Sequence, residues 1–185
     1  NCLISQCGIT AGQDVLLLGT GGVSIFGLQI ARMTGARVII TSSDDAKLVR
    51  ARELGANETI NYRQNPDWDK AVLDLTGGRG VDASIEVGGA ETLPRTINAT
   101  RNGGSIALIG VLTSGTIDPS AIMRKSIHLH GVYCGSRKMF EDMVKAFELT
   151  ALEPEIHHVH AMEDAQEAYR TMKNGSHLGK IVIRL

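Results

Sequence analysis

The run Gly19-Thr20-Gly21-Gly22-Val23-Ser24 restricts the possible folds more than any other part of the sequence. It overlaps the end of an apolar segment, residues 14–19, and opens a helical pattern that extends from residue 23 to residue 34. An apolar run this short, closed by glycine, is typical of a strand that is buried on both faces. A strand, a glycine turn and a helix in this order bind a pyrophosphate through backbone N–H groups, because side chains there would block its approach. The run therefore predicts a dinucleotide-binding turn.

The same alternation of strand and helix continues along the chain. The sequence predicts further strands at residues 37–41, 58–61, 81–87, 105–111 and 127–133, and helices at residues 46–54, 67–76 and 92–100. Asp45 is the predicted N-cap of the second helix, and Gly55 is its predicted end. Alternating elements joined by short glycine-rich turns indicate a parallel sheet with helices on both faces. The predicted fold class is therefore α/β, a doubly wound parallel sheet.

The regular alternation of strand and helix ends at about residue 136. Two amphipathic helices are predicted there, at residues 138–149 and 162–174, followed by a terminal strand at residues 179–185. We therefore divide the chain into a dinucleotide-binding domain, residues 1–135, and a C-terminal appendage of helix and strand, residues 136–185. The appendage is expected to pack against something other than the first domain.

Charge and cysteine content exclude several kinds of partner. The chain carries 19 Lys and Arg against 20 Asp and Glu, and it has no basic tract, which argues against a nucleic-acid partner. No apolar run approaches the roughly 18 residues of a membrane span, so no membrane partner is expected. The three cysteines, Cys2, Cys7 and Cys134, suggest neither a disulfide framework nor a zinc ribbon, and a reducing, cytoplasmic setting is predicted. Because residue 1 is Asn and no signal peptide is recognisable, we expect the chain to be part of a longer protein.

The end of the second predicted strand bears on the choice of dinucleotide. Ser42 stands about 20 residues after Gly21, where NAD-binding turns carry an Asp or Glu that binds the ribose 2′-hydroxyl. A hydroxyl can donate to a 2′-phosphate, which a carboxylate would repel, and Lys47 can add positive charge. Asp44 and Asp45 are most simply helix caps, yet either could reach the ribose. The sequence therefore favours NADP and leaves NAD open.

Two other groups of residues carry possible chemistry. The spacing of Tyr169 and Lys173 resembles the acid-catalytic pair of short-chain dehydrogenases. Tyr169, however, lies on an ordinary apolar helix stripe, so no catalytic role is assigned to it. The remaining candidates are histidines at positions 128, 130, 157, 158 and 160, the last three in a predicted loop. They lack the convergent ligands that zinc requires, even with Cys134 added, so no metal ligand is predicted.

Beyond these features, the sequence resembles the medium-chain dehydrogenases/reductases, which include zinc alcohol dehydrogenases and quinone oxidoreductases. The resemblance rests on residues 15–29, 51–56, 60–63, 77–82, 85–89, 103–104, 109–111 and 175–182. It implies a Rossmann domain, the C-terminal cofactor domain of that family, with the GroES-like catalytic domain missing from this chain. The segment after residue 136 would pack on that missing domain, which would also be the only place for a zinc ion.

The resemblance also implies a set of cofactor-binding residues. Gly21, Gly22 and Val23 would meet the pyrophosphate, Ser42, Lys47 and Tyr62 the 2′-phosphate, and Ser136 would lie near the nicotinamide. The complete predicted set is Gly19, Thr20, Gly21, Gly22, Val23, Ser42, Ser43, Lys47, Tyr62, Val87, Gly88, Ile109, Gly110 and Ser136. No catalytic residue is assigned.

These observations lead to one functional expectation and two alternatives. The chain is expected to be the cofactor domain of an oxidoreductase that moves hydride between NADP(H) and a small alcohol, carbonyl, quinone or enone. On its own it is expected to be inactive. The alternatives are a non-catalytic NAD(P)H-sensing module and a zinc-dependent NAD alcohol dehydrogenase. A homodimer is expected through the strand at residues 127–133, because it is the last strand of the sheet and hence an exposed edge.

Overall fold

Six parallel strands form the central sheet of the computed structural model, which describes residues 1–185. The strands are β1 (Asp14–Leu17), β2 (Arg37–Ser42), β3 (Glu58–Asn61), β4 (Val81–Glu86), β5 (Thr100–Leu108) and β6 (His128–Gly131). Their order is β3-β2-β1-β4-β5-β6, and every neighbouring pair is parallel. The predicted doubly wound parallel sheet is confirmed.

Helices connect the strands and flank the sheet. The first five are α1 (Gly22–Met33), α2 (Asp45–Glu53), α3 (Trp68–Leu75), α4 (Leu93–Ala99) and α5 (Pro119–Arg124), preceded by a π-helical turn at Cys2–Gln6. After them come α6 (Arg137–Thr150), β7 (Ile156–Ala161), α7 (Ala165–Asn174) and β8 (Lys180–Arg184), with β7 and β8 paired as a separate parallel two-stranded sheet. None of the helices combines the length and the apolar character that crossing a membrane requires.

The hydrophobic core has a layer on each face of the sheet. Val15 and Leu17 of β1 belong to one cluster together with Ile25 and Leu28 of α1. Leu16, the residue between them, belongs to the other cluster, which includes Trp68 and Val72 of α3. Successive side chains of a strand point to opposite faces, so a strand covered on both sides must be apolar throughout. Each such side chain contributes about 1.5–3 kcal/mol when fully buried.

Two local predictions are wrong. The N-cap of α2 is Asp44, whose carboxylate accepts from Ala46 N at 2.8 Å and Lys47 N at 3.2 Å, because Asp44 has the extended backbone of a cap. Asp45 is already helical, and its carboxylate accepts from the side-chain amides of Asn61 and Gln64 instead. The three histidines at 157, 158 and 160 lie in β7 rather than in a loop. The partner of β7 is β8, which follows only after α7, so the local sequence does not reveal this pairing.

The segment after residue 136 makes specific contacts with the first domain. The Phe147 ring stacks on Phe26 with centroids 5.9 Å apart, and Gln29 Nε2 donates to Glu153 O at 2.6 Å. Leu178 is buried in the same core cluster as β1 and α1. Part of this segment therefore belongs to the packing of the sheet domain, while its exposed apolar side chains, Leu149, Met162, Tyr169 and Met172, face outward. The division at residue 136 stays a prediction.

Candidate cofactor-binding site

The strand order places a crevice between β1 and β4. The chain moves outward from β1 to β3 on one side, and β4 to β6 extend the sheet on the other. Ligands of open α/β sheets bind at the carboxyl ends of the strands where this reversal occurs. The turns that follow β1, β2, β4 and β5 all meet at this edge, and they contain most of the predicted site residues.

The glycine turn after β1 has an open surface. Gly19 has a φ of +74°, a conformation that favours glycine, and Gly21 is the extended N-cap of α1. No side chain caps α1, and a Cβ added to Gly19 or Gly21 would meet no atom within 4 Å. The first-turn N–H groups of α1 thus lack a side-chain acceptor and adjoin open space. This cradle fits a pyrophosphate.

Ser24 stands where dinucleotide-binding turns usually carry a third glycine, and its surroundings explain why serine is tolerated there. Its side chain is 1% exposed, and its hydroxyl donates to Leu18 O at 2.6 Å, so the polar group is satisfied within the contact between helix and strand. Close packing of α1 on the sheet is instead possible at Gly27. A Cβ there would lie 3.0 Å from Ile85 Cδ1 and 3.1 Å from Leu17 Cδ2.

Lys180 lies at the glycine turn, although it is not among the site residues predicted from the sequence. Gly179 N donates to Thr20 O at 3.2 Å, and Gly21 and Gly179 form an isolated parallel bridge. A Cβ on Gly22 would be 3.1 Å from Lys180 Nζ, so an ammonium group lies beside the N-terminus of α1. The only sequence signal was the C-terminal stretch, residues 175–182, that carried the family resemblance.

The hydroxyls at the end of β2 tie this strand to the glycine turn. Ser42 is 3% exposed, its Oγ lies 3.2 Å from Thr20 Oγ1, and it accepts from Asp44 N at 3.4 Å. Thr41 Oγ1 accepts from Gly19 N at 3.3 Å. Ser43, the next residue, is half-buried. Ser42 is therefore buried against the glycine turn, and Ser43 is the more exposed of the two serines.

Lys47 and Tyr62, both predicted for the 2′-phosphate, follow neighbouring strands: Lys47 lies in α2 after β2, and Tyr62 comes directly after β3. Tyr62 N donates to Ser42 O at 3.0 Å, and the Tyr62 side chain is 41% exposed. Lys47 Nζ donates to Gly175 O, the carbonyl that ends α7, at 2.8 Å. Burial lowers the pKa of His177, and the positive charge of Lys47 lowers it further. A cavity of about 380 Å³ opens beside Lys47 between α2 and β7.

The turns after β4 and β5 are in direct backbone contact. A Cβ on Gly110 would lie 2.1 Å from Val87 C, so only glycine allows the two turns to approach this closely. Gly88 follows Val87, Ile109 precedes Gly110, and all four are half-buried. Ser136, in contrast, is exposed, and its hydroxyl accepts from Met139 N at 3.2 Å as the N-cap of α6.

Several other groups form no catalytic or metal centre in this chain. No group of three or more His, Cys, Asp or Glu side chains is placed to hold a metal ion. Burial, with the neighbouring Cys2, raises the pKa of the Cys7 thiol to about 12, which keeps it protonated at neutral pH. Tyr169 and Lys173 are exposed on α7.

A parallel sheet in the order 3-2-1-4-5-6 with an uncapped glycine turn at its switch point defines a dinucleotide-binding Rossmann domain. The profile of the zinc-binding dehydrogenase family matches residues 22–149. The chain is 39% identical over 183 residues to a zinc-type alcohol dehydrogenase-like protein of Schizosaccharomyces pombe, covering 96% of this chain and 53% of that protein. It therefore belongs to the zinc-binding dehydrogenase family, whose profile describes the cofactor domain of medium-chain dehydrogenases/reductases, and the predicted family is confirmed.

Solved structures agree with this assignment. An NAD-dependent alcohol dehydrogenase superposes with a TM-score of 0.90 at 35% identity, over 98% of this chain and 54% of that chain. A quinone oxidoreductase of Pseudomonas syringae shares the fold, with a TM-score of 0.86 at 23% identity, over 99% of this chain and 60% of that one. The chain spans about half the length of the curated relatives it matches.

Proposed function

We propose that this chain is the cofactor-binding domain of an NAD(P)-dependent oxidoreductase that moves hydride between NADP(H) and a small alcohol, carbonyl, quinone or enone. The observation that carries the proposal is the uncapped N-terminus of α1, which adjoins open space at the switch point of the sheet. The nicotinamide supplies the hydride when it is bound. The residues of this chain bind the cofactor and orient it across the crevice.

Each part of the crevice has a separate task. The first-turn amides of α1 bind the pyrophosphate, and Lys180 adds an ammonium group beside them. Ser43, Lys47 and Tyr62 bind the phosphate at the 2′ position, and Lys47 exchanges its contact with Gly175 O for that phosphate. The turns after β4 and β5 hold the nicotinamide half. We expect this chain alone to bind the cofactor without turnover, because it spans about half the length of its relatives.

An NAD-dependent zinc alcohol dehydrogenase is the second candidate, and specific observations favour it. Ser42 already makes two hydrogen bonds within the protein, one of them with the backbone N of Asp44, and Asp44 provides a carboxylate two residues further on. A carboxylate there accepts from a ribose 2′-hydroxyl and repels a 2′-phosphate. The similar alcohol dehydrogenase structure is named as NAD-dependent, and the Schizosaccharomyces pombe relative is named as zinc-type. A non-catalytic NAD(P)H-sensing module, a homodimer and a cytoplasmic location stay predictions.

Calorimetric titration of the chain with NADPH and with NADH tests the proposal. In Gly21→Val the side chain enters the open cradle without backbone strain, since Gly21 has a φ of −75° and an added Cβ meets no atom within 4 Å. This variant is expected to fold normally and to bind the dinucleotide at least about tenfold more weakly than wild type. Gly131→Val is the control, because Gly131 also has free space around an added Cβ but lies on β6. A wild type that binds neither dinucleotide, or a Gly21→Val variant that binds normally, contradicts the proposal.

A further inference from the structure

The carboxylate of Glu86, the last residue of β4, is fully buried and accepts four hydrogen bonds. Oε1 accepts from Gly88 N at 2.7 Å, from Gly89 N at 3.0 Å and from Thr92 Oγ1 at 2.6 Å. Oε2 accepts from Thr96 Oγ1 at 2.5 Å. All four donors are neutral, and none of the ion pairs of the protein includes Glu86. A buried carboxylate is costly unless it is hydrogen-bonded, and these four donors offset that cost.

The same residue joins the turn after β4 to the turn after β5. Ile109 N and Gly110 N both donate to the backbone oxygen of Glu86 at 2.9 Å. Thr113 N and Thr113 Oγ1 each donate to Gly88 O at 3.2 Å. Residues 87–90 and 109–113 thus form one hydrogen-bonded unit, which we name the platform. Both the side chain and the main chain of Glu86 hold it.

The platform faces one half of the dinucleotide. In this fold, the glycine turn after β1 binds the pyrophosphate and the end of β2 binds the adenosine ribose. The platform follows β4 and β5, on the other side of the switch point, so it faces the nicotinamide half. Because Gly88 N and Gly89 N both donate to a fully buried carboxylate, this turn is fixed against the end of β4.

We propose that Glu86 is a positioning residue, which keeps the platform in the shape that receives the nicotinamide half of the cofactor. The role rests on the proposed function, since it assumes that a nicotinamide dinucleotide binds here. Glu86 itself is covered by the platform and acts through Val87, Gly88 and Gly110. Leucine in its place would leave Gly88 N and Gly89 N, the two backbone donors of the β4 turn, without an acceptor, and the turn would move toward water to satisfy them.

The experiment compares the complete cofactor with its adenosine half. Wild type, Glu86→Leu and Glu86→Gln are titrated with NADPH and with 2′,5′-ADP, and the folding of each variant is checked by circular dichroism. Glu86→Leu is expected to bind NADPH about tenfold more weakly and 2′,5′-ADP as tightly as wild type does. Glu86→Gln keeps an oxygen at Oε1 and is expected to restore binding of NADPH. A general loss of structure would weaken the binding of both ligands to the same extent.

A pair of threonine variants keeps the test decisive where Glu86→Leu does not fold. Thr92→Val removes a donor from Oε1, the oxygen that holds the turn, whereas Thr96→Val removes the donor from Oε2 on the side of α4. Thr92→Val is expected to weaken the binding of NADPH but not that of 2′,5′-ADP, whereas Thr96→Val is expected to leave both unchanged. If the wild type binds NADPH and both Glu86→Leu and Thr92→Val bind it equally well, or lose both ligands in parallel, the positioning role is wrong. A wild type that binds neither NADPH nor NADH overturns the proposed function as well.

Discussion

Lys180 lies against Gly22, and the two residues are brought together by strands and turns at opposite ends of the chain. Lys180 Cδ and Cε would each be 2.8 Å from a Cβ on Gly22. The contact follows from the bridge between Gly21 and Gly179, which fixes the start of β8 beside the glycine turn. Any larger residue at position 22 would displace the lysine chain. Gly22 therefore leaves room both for the Lys180 side chain and for a ligand at the N-terminus of α1.

Replacing Lys180 by methionine tests the role of this ammonium group. Lys180→Met keeps the length of the side chain and removes the charge beside the N-terminus of α1. We expect the affinity for NADPH to fall about tenfold, the size of a lost charge-assisted hydrogen bond. Calorimetric titration measures the change, and Lys173→Met on the exposed face of α7 is the matched control. Equal losses in the two variants would indicate a general charge effect and contradict the role.

A second prediction concerns the preference between the two dinucleotides. The wild type is expected to bind NADPH more tightly than NADH, because no carboxylate stands at position 42 and Lys47 is close by. Ser42→Asp is expected to reverse this preference by about tenfold or more, since the new charge repels a 2′-phosphate. Titration of both variants with both cofactors checks this, with Ser5→Asp as an exposed control. Tighter binding of NADH by the wild type would contradict this prediction and point to Asp44 or Asp45 as the ribose acceptor.

The sequence was sufficient for the fold and for the glycine turn because both are local patterns. Leu16 and Leu17 lie on opposite faces of one strand and are both buried, so an unbroken apolar run was the correct signal. Lys180 could not be found in this way, because its place beside Gly22 depends on a contact between residues about 160 positions apart. Glu86 was missed for a different reason, since its donors lie only two to ten residues further along the chain. Its four donors come from a turn and a helix that the sequence does not show to converge.

The pH dependence of stability provides a third prediction. Asp82 is buried at the start of β4. Burial alone would raise its pKa, but hydrogen bonds from Arg79 and Arg101 outweigh burial and hold that pKa well below its usual range. Because the pKa is lower in the folded state, the unfolded chain takes up this proton first as the pH falls. The stabilisation is therefore complete well above the unfolded pKa of about 3.9 and declines below it.

Urea unfolding of Asp82→Asn at two pH values measures this contribution. At pH 7 the variant is expected to be about 3 kcal/mol less stable than wild type, because Arg79 and Arg101 lose a buried counter-charge. At pH 3 the difference is expected to be about 1 kcal/mol smaller. Asp74→Asn, at an exposed position, is the control and is expected to change little. A difference that grows toward pH 3 would contradict the sign of this argument.

The last prediction concerns the edge of the sheet. β6 is the terminal strand of the sheet, and Tyr133, two residues after it, is 99% exposed. Val132 N donates to Leu108 O of β5. Backbone groups of successive strand residues point to alternate sides, so His130 faces β5 and Leu129 presents its N–H outward. We propose that two copies pair through this edge about a two-fold axis, which would satisfy the outward groups and cover Tyr133.

Proline at position 129 separates this pairing from the stability of the sheet. Leu129→Pro removes only an outward donor, so it is expected to convert a dimer into a monomer while the sheet stays folded. Leu129→Ala keeps the donor and is the control, expected to remain dimeric. Sedimentation at micromolar concentration gives the oligomeric state, and circular dichroism reports whether the sheet is intact. A wild type that sediments as a monomer rules out the pairing, and a Leu129→Pro variant that stays dimeric places the interface elsewhere on the molecule.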